Sequence, residues 1–130
     1  MGNSDTAQAA ARLRHDLGRY IRFSAPETIE VDTAALRERL RADVVTTHRA
    51  TAGSLSAAQV FERWRSEEAA HLPAEGAVAE TIERLGRTIE EIRWLCAEID
   101  SLDRPGLERL DALTLTVSKE CRALARAAKP

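Results

Sequence analysis

The stretch that decides the fold is residues 77–102, AVAETIERLGRTIEEIRWLCAEIDSL. Apolar side chains recur in it at alternating steps of four and three residues, as the a and d positions of a heptad do. The pattern predicts one amphipathic helix, about 39 Å long at about 1.5 Å per residue. Its predicted seam is Val78, Ile82, Leu85, Ile89, Ile92, Cys96 and Ile99.

A second long helix is predicted after a short turn at residues 103–106. Pro105 falls in the first turn of this helix, where the missing N–H costs little. A short loop between two long amphipathic helices predicts an antiparallel pair. The apolar stripe of the second helix is Leu107, Leu110, Leu113, Val117, Cys121 and Leu124.

Three shorter helices are predicted before this pair. Asp32 is the expected N-cap of the second helix, and Ser56 with Gln59 forms a capping-box pattern for the third. Pro26 restricts the residue before it and so favours an end of the first helix near Ala25. The predicted helices span residues 5–25, 33–50 and 57–72.

These patterns predict an all-α fold, an antiparallel up-and-down bundle of four to five helices. Aromatic residues make up only 4% of the chain. A chain of 130 residues is the usual size of one domain. Residues 1–130 are therefore assigned to a single helical-bundle domain, with residues 1–4 expected to be flexible.

Charge and hydropathy restrict the environment and the partners. The chain has 19 Lys and Arg against 21 Asp and Glu, so we expect no overall field that attracts nucleic acid or an acidic membrane. The sequence has neither the apolar run of about 20 residues that crosses a membrane nor a secretory signal pattern. We expect a cytoplasmic protein in which Cys96 and Cys121 are buried free thiols.

The main functional hypothesis is a small, non-catalytic protein–protein interaction module. The sequence has no glycine-rich phosphate loop, CxxC pair, GxSxG elbow or HExxH motif, so an enzyme is the minority interpretation and no organic cofactor is expected. Trp94 and Leu115 lie off the apolar stripes of their helices. Both are predicted to meet a fifth helix of the bundle, a second subunit of a homodimer or a partner protein, or else to stay half-exposed.

An alternative function is phosphotransfer through His15. On a helical wheel His15 lies nearly opposite Leu13, and Arg12, Arg19 and Arg22 share its polar face. An exposed, uncharged imidazole beside positive charge is what phosphotransfer between proteins requires. The same three arginines are also a candidate docking surface for an acidic partner, because guanidinium groups suit carboxylates and phosphates.

Residues 14–17, Arg-His-Asp-Leu, are similar to the histidine box of some sensor histidine kinases. In that box an acidic residue follows the phosphoaccepting histidine. The asparagine and proline common downstream in those kinases are replaced at residues 19–21. The resemblance implies a signalling accessory protein with an acidic, receiver-like partner, in which His15 accepts phosphate or the segment only imitates a phosphoacceptor for docking. The alternative is a solvated histidine among surface arginines.

A second alternative is a metal-binding bundle. Glu68 and His71 are three residues apart on the predicted inner face of the third helix, a spacing that four-helix di-iron proteins use. Asp43 and His48 on the second helix are candidate additional ligands. The competing interpretation is a pair near a helix end that hydrogen-bonds to neighbouring elements.

Overall fold

The computed structural model describes residues 2–22, 32–42, 56–73 and 75–127. All regular secondary structure in these ranges is helical, which confirms the all-α prediction. Two 3₁₀ turns, Ala69–His71 and Ile99–Ser101, extend the ends of helices. The α-helices are α1 (Gly2–Leu17), α2 (Thr33–Leu40), α3 (Ala57–Glu67), α4 (Ala77–Ala97) and α5 (Arg104–Ala127).

Four helices form a closed ring around the core. The most extensive packing joins α4 to α5, and α5 also packs along α1. Helix α3 contacts both α1 and α4 and so completes the ring, while α2 packs against α5 from outside. The short connections between α3, α4 and α5 make these neighbours antiparallel. The arrangement confirms the predicted up-and-down bundle.

The predicted seams of α4 and α5 form the centre of the core. On α4, Leu85, Ile89 and Ile92 are buried, and only Ile82 of the predicted seam is half-buried. The whole predicted stripe of α5 is buried. Between the helices, Arg109 hydrogen-bonds to Glu91 through two nitrogens, at 2.6 and 3.0 Å, and so lowers the pKa of the Glu91 carboxyl.

Helix α4 ends at Ala97 instead of the predicted residue 102. Its 21 residues span about 31 Å, and the chain then tightens into the 3₁₀ turn. Arg37 of α2 donates to the carbonyl oxygens of Ile99 and Leu102, at 3.3 and 2.6 Å. Carbonyls at a helix end lack intrahelical partners, so this side chain satisfies them and ties α2 to the α4–α5 turn.

Helix α1 is also shorter than predicted at its C-terminal end. It ends at Leu17 because a turn follows over residues 18–20, in which the Tyr20 N–H donates to the Leu17 carbonyl at 2.9 Å. Gly18 has a low helix propensity and favours an end at this point. Ile21 still reaches the core. Residues 23–31 and 43–55, which include the rest of the first two predicted helices, lie outside the described residues.

Helix α3 packs closely on both of its neighbours. The Ser56–Gln59 capping box is present as predicted. A Cβ atom at Gly86 of α4 would lie 3.1 Å from the Phe61 ring, so close packing explains a glycine that costs about 1 kcal/mol of helix propensity. The buried Trp64 indole donates to the Ala9 carbonyl of α1 at 2.9 Å. These contacts hold α3 in the ring.

Both cysteines are buried free thiols, as predicted. Burial raises the pKa of Cys121 to about 11, although the nearby Arg14 opposes the shift.

Among the described helices, none combines the length and apolar character needed to cross a membrane.

We expect Ile89→Ala to lower the free energy of unfolding by roughly 2 to 5 kcal/mol. The side chain is 1% exposed at the middle of the α4 seam, so its truncation leaves a cavity against α5. Urea denaturation measures the change. Arg87→Ala, on the exposed face of the same helix, is the control and should change stability by less than about 0.5 kcal/mol. Equal small effects would contradict the assigned register.

We expect stability to fall as the pH rises from about 9 to about 11. In this window the Cys121 thiol ionises in the unfolded chain but stays protonated in the folded protein, so the unfolded state binds fewer protons and is favoured. The contribution of this group totals roughly 2 to 3 kcal/mol. Urea denaturation at several pH values measures it, with Cys121→Ala as the comparison. An equally steep loss in that variant would contradict the assignment to Cys121.

Candidate functional site

Three residues singled out in the sequence, Arg12, Glu68 and His71, line one open cleft of about 810 Å³. The cleft, called the α1/α3 cleft below, lies between α1, the end of α3 with its 3₁₀ turn, and the start of α4. Its size lies within the range of ligand-binding clefts. The structure thus brings candidate residues from two separate hypotheses to a single place.

The end of α3 and the turn into α4 form one side of the cleft. Helix α3 ends at Glu67, and the 3₁₀ turn then places His71 at the surface, where its side chain is exposed. Gly76 adopts a φ of 87°, a left-handed conformation that favours glycine, immediately before α4 begins. This backbone geometry turns the chain along the edge of the cleft.

Arg12 and Glu68 form an ion pair between α1 and α3. Arg12 Nη1 donates to Glu68 Oε1 at 2.9 Å, with side chains 65% and 28% exposed. Glu68, which the metal hypothesis assigns as a ligand, is therefore ion-paired with Arg12. Within the described ranges, no three His, Cys, Asp or Glu side chains are grouped so as to hold a metal ion. Asp43 and His48 lie outside these ranges.

The remaining carboxylates give the α1/α3 cleft an acidic rim. Asp5, Glu67 and Glu75 are exposed and form no ion pair with any residue in the described part of the chain. Arg12 is the only arginine or lysine among the described lining residues, and Glu68 already pairs with it. The rim therefore attracts a cation.

The floor of the α1/α3 cleft is apolar. Ala9 and Val78 are buried, and Leu72 is half-buried against the core. Aliphatic surface below a ring of carboxylates matches a long cationic side chain, whose stem is apolar and whose head is charged. The local sequence gives little sign of this site because its walls come from three helices.

His15 lies on the exposed face of α1, while Leu13 is fully buried. Its neighbouring arginines turn to opposite sides: Arg12 reaches α3, and Arg14 Nε donates to Ser118 Oγ of α5 at 3.2 Å. The imidazole is therefore exposed, as the phosphotransfer hypothesis predicts, but the guanidinium of Arg12 is committed to Glu68.

Arg19 and Arg22 lie beyond the end of α1, so they do not continue the helical spacing from Arg12. Arg19 lines an adjoining pocket of about 170 Å³ together with Asp16 and Arg63, and this pocket shares Glu67 and Glu68 with the α1/α3 cleft. The predicted arginine stripe is thus divided between the helix and the turn that follows it.

Trp94 and Leu115 differ in their exposure. Trp94 is 64% exposed, which makes it the exposed large hydrophobic residue of the described chain, whereas Leu115 is half-buried.

Comparisons with protein-family models, curated proteins and solved structures find no match to this chain.

We expect a double-mutant cycle of Arg12→Ala and Glu68→Ala to give a coupling energy of roughly 0.2 to 1 kcal/mol. The pair is partly exposed, so solvent screening keeps the interaction small. Urea denaturation of the four proteins measures it, and high salt should reduce it. A coupling energy of zero at low salt would show that the two side chains do not pair in solution.

Proposed function

We propose that the protein is a non-catalytic interaction module that binds a basic segment of a partner protein in the α1/α3 cleft. The observation that carries the proposal is the acidic rim, in which Asp5, Glu67 and Glu75 are exposed and form no ion pair with any described residue. A lysine or arginine of the partner places its charged head at this rim. Its aliphatic stem then covers the apolar floor.

The walls of the cleft support this function because they are held from both sides. The Trp64 indole fixes α3 against the Ala9 carbonyl, and the Arg12–Glu68 ion pair adds a contact further along the same helices. A site on packed helices loses less conformational entropy on binding than a site on a loop. A basic peptide segment can therefore gain useful affinity there.

The proposal places this module in the cytoplasm. Two buried free cysteines suit a reducing compartment, where thiols stay unpaired. A recognition site of exposed carboxylates also makes binding dependent on salt, since screening weakens attraction between exposed charges.

Selection from a random peptide display library tests the proposed specificity. We expect the selected peptides to be enriched in Lys or Arg next to apolar residues. For one selected peptide, Glu67→Gln combined with Glu75→Gln should weaken binding by roughly three- to tenfold, as measured by calorimetry. The physical reason is the loss of two rim carboxylates that attract the cation.

The matched control is Glu62→Gln combined with Glu83→Gln, which makes the same charge change at exposed carboxylates outside the cleft. Its affinity for the selected peptide should stay near that of the wild type. Enrichment of acidic peptides, absence of enrichment, or equal losses in both variants would overturn the proposal.

A further inference from the structure

The outer face of α4 carries an exposed aromatic residue among four carboxylates and one arginine, and one of these carboxylates, Glu90, pairs with Arg93 at 3.3 Å. Residues three or four apart along a helix share a face, and the members of this face are all exposed. Trp94 is 64% exposed on it. A large aromatic side chain in such a position is typical of an interaction surface. We call this face the Trp94 ridge: Glu80, Glu83, Arg87, Glu90, Trp94 and Glu98.

A second exposed surface carries the opposite charge. The hydrogen bond from Arg14 to Ser118 shows that α1 packs along the C-terminal half of α5. Lys119, Arg122 and Arg126 are exposed on that half and form no ion pair within the described part of the chain. We call Arg14, Lys119, Arg122 and Arg126 the basic face.

The two surfaces make the molecule electrically polar although its net charge is only −2. Residues 5–22 and 115–127 together contain seven Lys and Arg against three Asp and Glu. Residues 57–101, which include α3 and α4, contain five against ten. Four of these ten acidic residues, Glu68, Glu75, Glu98 and Asp100, lie in the turns on either side of α4, where no Lys or Arg accompanies them.

We propose that the Trp94 ridge of one copy of the protein docks on the basic face of a second copy. The surfaces are complementary in charge, and an arginine can stack on the Trp94 indole in a cation–π contact. The basic face lies where α5 meets α1, whereas Glu90 of the ridge lines a pocket with Glu62 of α3, so one copy presents the two surfaces along different edges of the ring. The contact is therefore head-to-tail, and each pair keeps one free surface of each kind.

Sedimentation velocity of the full chain tests the self-association. We expect assembly that grows with protein concentration at low salt and declines at high salt, because the attracting charges are exposed. Trp94→Ala should lower the association constant by roughly tenfold or more, since it removes the aromatic centre of the contact. A wild-type protein that stays monomeric at low salt and at its highest soluble concentration would overturn the proposal.

A mixing experiment tests whether the Trp94 ridge meets the basic face. Growth beyond a dimer in the sedimentation experiment tests the head-to-tail geometry, because a two-fold dimer leaves neither surface free. The ridge variant combines Glu83→Arg with Glu90→Arg, and the basic-face variant combines Lys119→Glu with Arg122→Glu. Each variant alone should be monomeric, because its two surfaces now repel each other. An equimolar mixture should associate, since the ridge variant keeps a native basic face and the other variant keeps a native ridge.

The control is Glu38→Arg combined with Glu108→Arg, which makes the same charge change at exposed carboxylates of α2 and α5 outside the ridge, the basic face and the α1/α3 cleft, and it should still associate. Circular dichroism checks that every variant stays helical; for a ridge variant that loses helicity, Glu83→Gln with Glu90→Gln replaces it. Association of the basic-face variant alone, or a mixture that stays monomeric, would overturn the inference. The result does not depend on peptide binding in the α1/α3 cleft.

Discussion

Apolar packing between α4 and α5 is the interaction on which the rest of the structure depends. The two helices bury continuous seams against each other, with side chains such as Leu85 and Leu110 fully removed from solvent. Burial of each such side chain contributes roughly 1.5 to 3 kcal/mol. The other helices are positioned by this pair: α1 and α2 pack on α5, and α3 packs on α4 and α1.

Arginine side chains set how the helices meet at the edges of this core. Arg37 has the most defined structural role, because it donates to carbonyl oxygens at the end of α4 that would otherwise lack partners. Exposed pairs such as Arg84 with Glu120 add little stability individually. Their planar guanidinium groups instead favour particular alignments of neighbouring helices.

The proposed binding surfaces lie where helices end or on helix faces that point away from the core. The α1/α3 cleft lies where α3 has ended at Glu67 and α1 continues past it, so carboxylates from several elements surround a small apolar floor. The Trp94 ridge and the basic face arise on helices whose opposite faces are fully used by the core. One small bundle can therefore present two acidic surfaces and one basic surface at separate places.

The sequence by itself determined the helical class, the α4 and α5 seams, the Asp32 and Ser56 caps and the buried thiols, because these depend on spacing within one segment. It also identified Trp94 as a residue outside the core. The apolar pattern predicts ends of α1 and α4 that lie several residues beyond the observed ones. The low helix propensity of Gly18 and the hydrogen bonds of Arg37 outweigh a continuing apolar pattern at these two places.

Only the tertiary structure decided which side chains share a surface. Arg12 and Glu68 are 56 residues apart in the sequence, yet the packing of α1 on α3 pairs them across one cleft. In the same way, Arg14 donates to Ser118 and so lies beside the basic residues of α5. Helical periodicity states which face of each helix is buried, but the alignment between helices depends on how their side chains interlock.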